Sequence, residues 1–105
     1  KETDNVVLNT WAFYAITYDA SEAVTGVSFY KDGVAVADTD ISGGGAYVAM
    51  ESNSIGIDIG CRENGGKENF FYGYIGPLQV YRYALTSAQI RAYYHSQKWL
   101  FGVIS

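Results

Sequence analysis

The sequence predicts an all-β, antiparallel fold closed by one short helix, and three observations carry that reading. Aromatic residues make up 16% of the chain, with Tyr 10 and Phe 5, and such side chains favour the pleated, half-buried surfaces of sheets. Asp32-Gly33 stands between two alternating apolar runs, and this pair readily takes the positive φ angles of a type I′ hairpin turn. Thr86-Ser-Ala-Gln89 spells a capping box, in which a hydroxyl and an amide side chain satisfy free backbone N–H groups at a helix start.

A chain of 105 residues with 49% hydrophobic and 17% charged residues has the profile of one globular domain. Its formal net charge of -4 repels phosphate, so nucleic acid is not an expected partner. No apolar run approaches the ~18 residues that a membrane span needs, so membrane insertion is not expected. The single cysteine, Cys61, has no internal disulfide partner and is expected to be a buried, inert thiol at the end of an apolar strand. The opening Lys1-Glu-Thr-Asp-Asn5 has neither a Met nor the apolar stretch of a signal peptide. A processed chain, or a piece of a longer one, is therefore expected.

From Val6 to Asp19 the chain is rich in β-branched and aromatic residues, which predicts a strand. Trp11, Phe13, Ala15 and Thr17 share one face, and Ala12, Tyr14, Ile16 and Tyr18 the other. Bulk on both faces predicts an inner strand of a layered structure. A polar interruption over 19–25 leads into the hairpin around Asp32-Gly33, and Gly43 to Gly45 read as a flexible connection. Ile55, Ile57 and Ile59 alternate with Gly56, Asp58 and Gly60, predicting a short strand with one bare face that something closely covers. Arg62 to Asn69 reads as a polar surface loop. Phe70 to Tyr83 is the longest strand-like segment, and Pro77 within it marks an edge, a bend or a bulge.

The helix is predicted over Leu85 to Ser96, with Leu85 and Ile90 as a hydrophobic staple and Ile90, Tyr93 and Tyr94 facing inward. At this length it is marginal alone and must dock on the sheet. The apolar tail from Lys98 to Ser105 is expected to form a terminal strand or to meet a neighbour.

Four features in order, Trp11 with Ala15-Ile-Thr-Tyr-Asp19, Phe29-Tyr-Lys-Asp-Gly33, Ile57-Asp-Ile-Gly60, and Phe71-Tyr-Gly-Tyr-Ile-Gly-Pro-Leu-Gln-Val-Tyr-Arg-Tyr-Ala-Leu-Thr-Ser-Ala-Gln-Ile90, resemble the laminin-G-like, concanavalin A-like jelly-roll modules. The resemblance covers nearly the whole chain. It implies an antiparallel jelly-roll β-sandwich, here a partial one, with residues 1–105 as the C-terminal portion of a single domain. The opening half would then come from an upstream part of the same polypeptide or from neighbouring subunits. The tail from Tyr94 to Gly102 is similar to the ending of such modules in virion structural proteins of bacterial viruses.

The resemblance implies binding or assembly rather than catalysis, at an extracellular or virion surface, with an accessory module of a glycoside hydrolase, its catalytic residues outside this chain, as a third reading. Catalytic relatives use clustered carboxylates, whereas Glu51, Asp58, Glu63 and Glu68 are scattered here and read as solvated acids. His95 is the only histidine, placed where a cation favours a helix C-terminus. Calcium needs several oxygen ligands, and many such modules supply an Asp after the Ile of a Gly-x-Ile-Asp segment. In this chain Gly73-Tyr-Ile75 is followed by Gly76. That departure weakens the case for a structural calcium, leaving Asp38, Asp40 and Asp58 as candidate ligands, and no other cofactor is implied. Tyrosine rings stack on sugar faces while amides and charged groups take hydroxyls. The candidate ligand-binding residues for a glycan or a protein surface are therefore Tyr47, Arg62, Asn64, Tyr72 and Tyr74.

Overall fold

The computed structural model describes residues 7–38, 56–63 and 65–102. The chain divides into two compact units, residues 1–49 with 81–105, and residues 50–80. Among the described residues, two small antiparallel sheets, one short α-helix and two 3₁₀ turns make up the regular structure.

In the first unit, β1 (Tyr14–Tyr18), β2 (Val27–Lys31) and β3 (Val34–Ala35) form a meander with β2 in the centre. β1 pairs antiparallel to β2 with Ala15 opposite Tyr30 and Thr17 opposite Ser28. Because side chains alternate along a strand, these residues share one face, and Tyr30 there is buried. The opposite face carries Tyr14 and Ile16, which are 44% and 66% exposed. The expectation of an inner strand covered on both faces is thus corrected for the described residues: β1 lies at the edge of this sheet, and only one of its faces is covered. The strand also starts later than predicted, since residues 8–10 turn and Asn9 takes φ 56°, while Val6 lies outside the described residues.

The hairpin follows its turn chemistry. Asp32 and Gly33 take φ 51° and 81°, the left-handed pair that a type I′ turn requires. Asp32 also ties the turn to the segment before β1. The Phe13 N–H donates to its carboxylate at 3.0 Å, and the Asp32 N–H donates to the Phe13 carbonyl at 2.8 Å. Between β1 and β2, the Asp19 carboxylate accepts the Ser21 N–H at 2.9 Å. Gly26 is buried against this turn, and a Cβ on it would run into the Asp19 carboxylate and the Ser21 hydroxyl. A larger residue there would displace these side chains and break the Asp19–Ser21 turn.

The helix α1 (Ser87–Gln97) has Thr86 as its N-cap and both arms of the capping box. It starts two residues after the predicted Leu85 and ends one after Ser96. The inward stripe is corrected: Ile90 is fully buried and Tyr94 is 9% exposed, whereas Tyr93 is only half-buried. Tyr94 rather than Tyr93 faces the sheet, with its ring centroid 6.1 Å from that of Phe13. The hairpin tip abuts the helix here, a Cβ on Gly33 falling 3.2 Å from the Arg91 Cα and from the Tyr94 ring. The Tyr30 and Ser87 hydroxyls meet at 3.2 Å, fixing the helix start over β2.

The tail does not extend as a strand over its described part. Lys98–Phe101 winds into a 3₁₀ turn that closes on Gly102 at φ 74°, a conformation suited to glycine. Phe101 thereby reaches the Trp11 ring, with centroids 4.6 Å apart.

In the second unit, β4 (Arg62–Glu63) and β5 (Lys67–Glu68) form an antiparallel ribbon, so the expected loop over Arg62 to Asn69 is corrected to a hairpin. The expected strand at Ile57 to Cys61 is absent: residues 56–58 are irregular, and Ile57 and Ile59 are 80% and 58% exposed. Ile55 lies outside the described residues, as does the glycine connection from Gly43 to Gly45. Cys61 is free and half-buried rather than buried. Residues 70–83 have the composition of a strand but no strand pairing. Alternation selects a face, while a strand also needs a neighbouring backbone to bond in a ladder, and among the described residues no such ladder runs along this stretch.

Candidate functional site

A backbone contact from Phe71 shapes the most exposed aromatic surface. The Phe71 N–H donates to the Gly60 carbonyl at 2.7 Å. Gly60 takes φ 78°, and a Cβ on it would meet the Ile75 Cδ1 at 3.3 Å. The bare glycine face expected between Gly56 and Gly60 is thus covered at Gly60, whereas Gly56 has open space. The Phe71 ring folds back over Gly73, 3.1 Å from where a Cβ would lie. With Phe71 and Ile75 turned toward this anchor, Tyr72 and Tyr74 stand out at 98% and 86% exposure.

Arg62 is exposed on β4, directly across from Glu68. No ring contact or hydrogen bond joins the side chains of Tyr72, Tyr74 and Arg62 among the described residues. They share the second unit without forming a contiguous cluster. Tyr47 and Asn64, the other two candidates, lie outside the described residues.

The acids of the ribbon stand opposite cations in its register. Glu63 lies opposite Lys67 and Glu68 opposite Arg62, an arrangement that favours opposite charges. Asp58 forms an ion pair with Lys67. The lysine's hydrogen bond holds the Asp58 carboxyl below its ordinary value, and Asp58 in turn pushes the Lys67 ammonium upward. Asp58 is therefore committed to a cation already in the chain. Asp40 is outside the described residues, and Gly76 occupies the position of the expected ligand. Among the described residues no three His, Cys, Asp or Glu side chains stand close enough to hold a metal ion. His95 lies exposed in the last turn of α1 beside the Tyr94 ring, at 5.2 Å between centroids.

A second aromatic group was not picked out from the sequence. In the first unit the Tyr81 hydroxyl donates to the Tyr93 hydroxyl at 2.7 Å. The two rings meet edge to face at 6.2 Å, and Tyr83 is edge-on to Tyr81 at 5.8 Å. The hydrogen bond to Tyr93 pushes the Tyr81 phenol up to about 12, with desolvation acting the same way. The available signal was the Tyr81-x-Tyr83 spacing, which puts both rings on one side of an extended segment.

A short antiparallel meander with a capped helix docked on its inner face, and a small antiparallel ribbon in the second unit, define a β-rich fold. The profile of the laminin-G-type concanavalin A-like lectin/glucanases superfamily matches residues 1–91, and the chain belongs to this family. No curated protein and no solved structure matches the chain.

Proposed function

We propose that the chain is a non-catalytic adhesion module that recognises glycans at an extracellular or virion surface, with Tyr72 and Tyr74 as the stacking residues. The observation that carries this reading is the pair of tyrosines, 98% and 86% exposed, held outward by the Phe71–Gly60 anchor. Tyrosine rings left in water carry a cost that stacking against an apolar sugar face offsets. The superfamily includes lectins and glucanases by name, and Glu63 and Glu68, each opposite a cation in the ribbon rather than opposite one another, favour the lectin side. A glycan array probed with the full chain, alongside Tyr72→Ala and Tyr74→Ala, tests it. Binding that drops at least tenfold in either variant supports the reading, and no binding to any sugar refutes it.

A second reading is favoured by the outer face of the meander and by residues 70–80. Ile16, Val34, Phe70, Phe71, Leu78 and Val80 are 57% or more exposed, which suits surfaces that bind other protein. In this reading the chain is a structural component whose jelly-roll sandwich is completed by an upstream part of its polypeptide or by neighbouring subunits. Sedimentation velocity decides between the two, a stable compact monomer of the chain alone opposing the assembly reading.

A further inference from the structure

We infer that Tyr81 and Tyr93 form a built-in oxidative cross-linking site, at which a peroxidase-type one-electron oxidant joins the two rings as an intramolecular dityrosine. The site is independent of glycan binding at Tyr72 and Tyr74.

Four observations support it. The two hydroxyls share a hydrogen bond of 2.7 Å, so the oxygen of Tyr93 is already solvated by a proton donor. When Tyr93 loses an electron and passes its own proton to water, the Tyr81 O–H remains bonded to the phenoxyl oxygen and stabilises the radical. The hydroxyl ends of the two rings converge, which carries the ortho carbons, each bonded to a hydroxyl-bearing carbon, to the approaching ends of the rings, and a turn of the rings out of their edge-to-face tilt brings those carbons together. Tyr81 is 37% exposed and Tyr93 half-buried, so rotation of side chains at the surface closes the remaining gap. Tyr83, edge-on to Tyr81 and 62% exposed, offers the oxidant a third ring from which the radical can move inward.

The chemistry balances. One oxidising equivalent removes an electron from Tyr93 and a second removes one from Tyr81, each phenol releasing its proton. The two phenoxyl radicals couple at their ortho carbons, forming one C–C bond. Each ortho proton then shifts to oxygen and restores a phenol, so the pair has lost two hydrogen atoms. Hydrogen peroxide, acting through the peroxidase, accepts both electrons and both protons and leaves as two waters. Proximity drives the selectivity, because an intramolecular partner acts at a high effective concentration.

Exposure alone makes the opposite forecast. Tyr72 and Tyr74 are the more accessible phenols at 98% and 86%, and random oxidation would couple them between molecules. The test treats the dilute full chain with a haem peroxidase and limiting hydrogen peroxide, then maps tryptic peptides by mass spectrometry. Cleavage at Lys67, Arg82, Arg91 and Lys98 places Tyr81 in peptide 68–82 and Tyr93 in peptide 92–98, and fragment spectra assign the linked rings. The expected result is a monomer lighter by two hydrogens with Tyr81 joined to Tyr93, and at least a tenfold loss of that product in Tyr81→Phe and in Tyr93→Phe. Predominant intermolecular products through Tyr72 or Tyr74, or an undiminished monomer cross-link in Tyr93→Phe, overturns the inference.

Discussion

Ile90 is the fully buried side chain around which α1 docks, so truncating it to alanine is the sharpest test of that packing. The substitution removes three carbons at ~0.8 kcal/mol each, about 2.4 kcal/mol of transfer free energy. Incomplete collapse of the resulting void adds to this, for a total of about 3–4 kcal/mol, within the usual range for Ile→Ala in a core. Ile16 is the matched control. It is 66% exposed on the outer face of the meander, so Ile16→Ala should cost roughly a third of the transfer term, under ~1 kcal/mol. Urea unfolding followed by tyrosine and tryptophan fluorescence reads the difference. At a slope of ~1.5 kcal/mol per molar, Ile90→Ala should lower the midpoint by about 2 M and Ile16→Ala by about 0.5 M. A midpoint shift for Ile90→Ala no larger than that for Ile16→Ala would refute the docking of α1 on the sheet.

Two further predictions follow from single hydrogen bonds. Thr86→Ala removes the acceptor of the Gln89 N–H at 3.2 Å and should cost about 1 kcal/mol with a loss of helical circular dichroism, which Thr86→Ser restores; unchanged stability would show the cap to be idle. Tyr81 should be the last tyrosine to ionise, near 12, because its proton is held in the bond to Tyr93. That bond's stabilisation is fully present below the ordinary tyrosine value of ~10 and is lost as pH rises through about 12. Ultraviolet titration of Tyr93→Phe should show this group falling back toward ~10, and an unchanged titration would count against the bond.

The elements legible in the sequence are those whose cause is local. Asp32-Gly33 makes its own turn because both residues tolerate positive φ, and Thr86 with Gln89 caps its own helix. The β4–β5 ribbon was equally local and was missed. Its signal lay in Asn64-Gly65 between Arg62-Glu63 and Lys67-Glu68, masked by the charge that made the stretch look like a loop. Residues 57–61 and 70–83 failed for another reason. Their apolar alternation is real, but pairing depends on a second backbone that local sequence does not specify. The choice of Tyr94 over Tyr93 likewise depends on where the Gly33 tip lands against the helix, a contact between residues distant in sequence. Of the candidate site, Tyr72 and Tyr74 were named for the stacking chemistry of tyrosine, whereas their exposure and the Tyr81–Tyr93 bond depend on how segments distant in sequence are placed.

The bond between Tyr30 and Ser87 spans 57 positions of the chain, and that separation sets an order of events during folding. Closing a loop of that size costs about 1 kcal/mol more entropy than bringing Ala15 to its partner Tyr30 in the meander. The meander is also synthesised before the helix. Contacts within β1 and β2 therefore form first, and α1 arrives on a surface already built. Changes at the Asp32-Gly33 turn should slow folding, while changes in α1 should chiefly hasten unfolding. The helix acts as the latch of this unit, closing last and opening first.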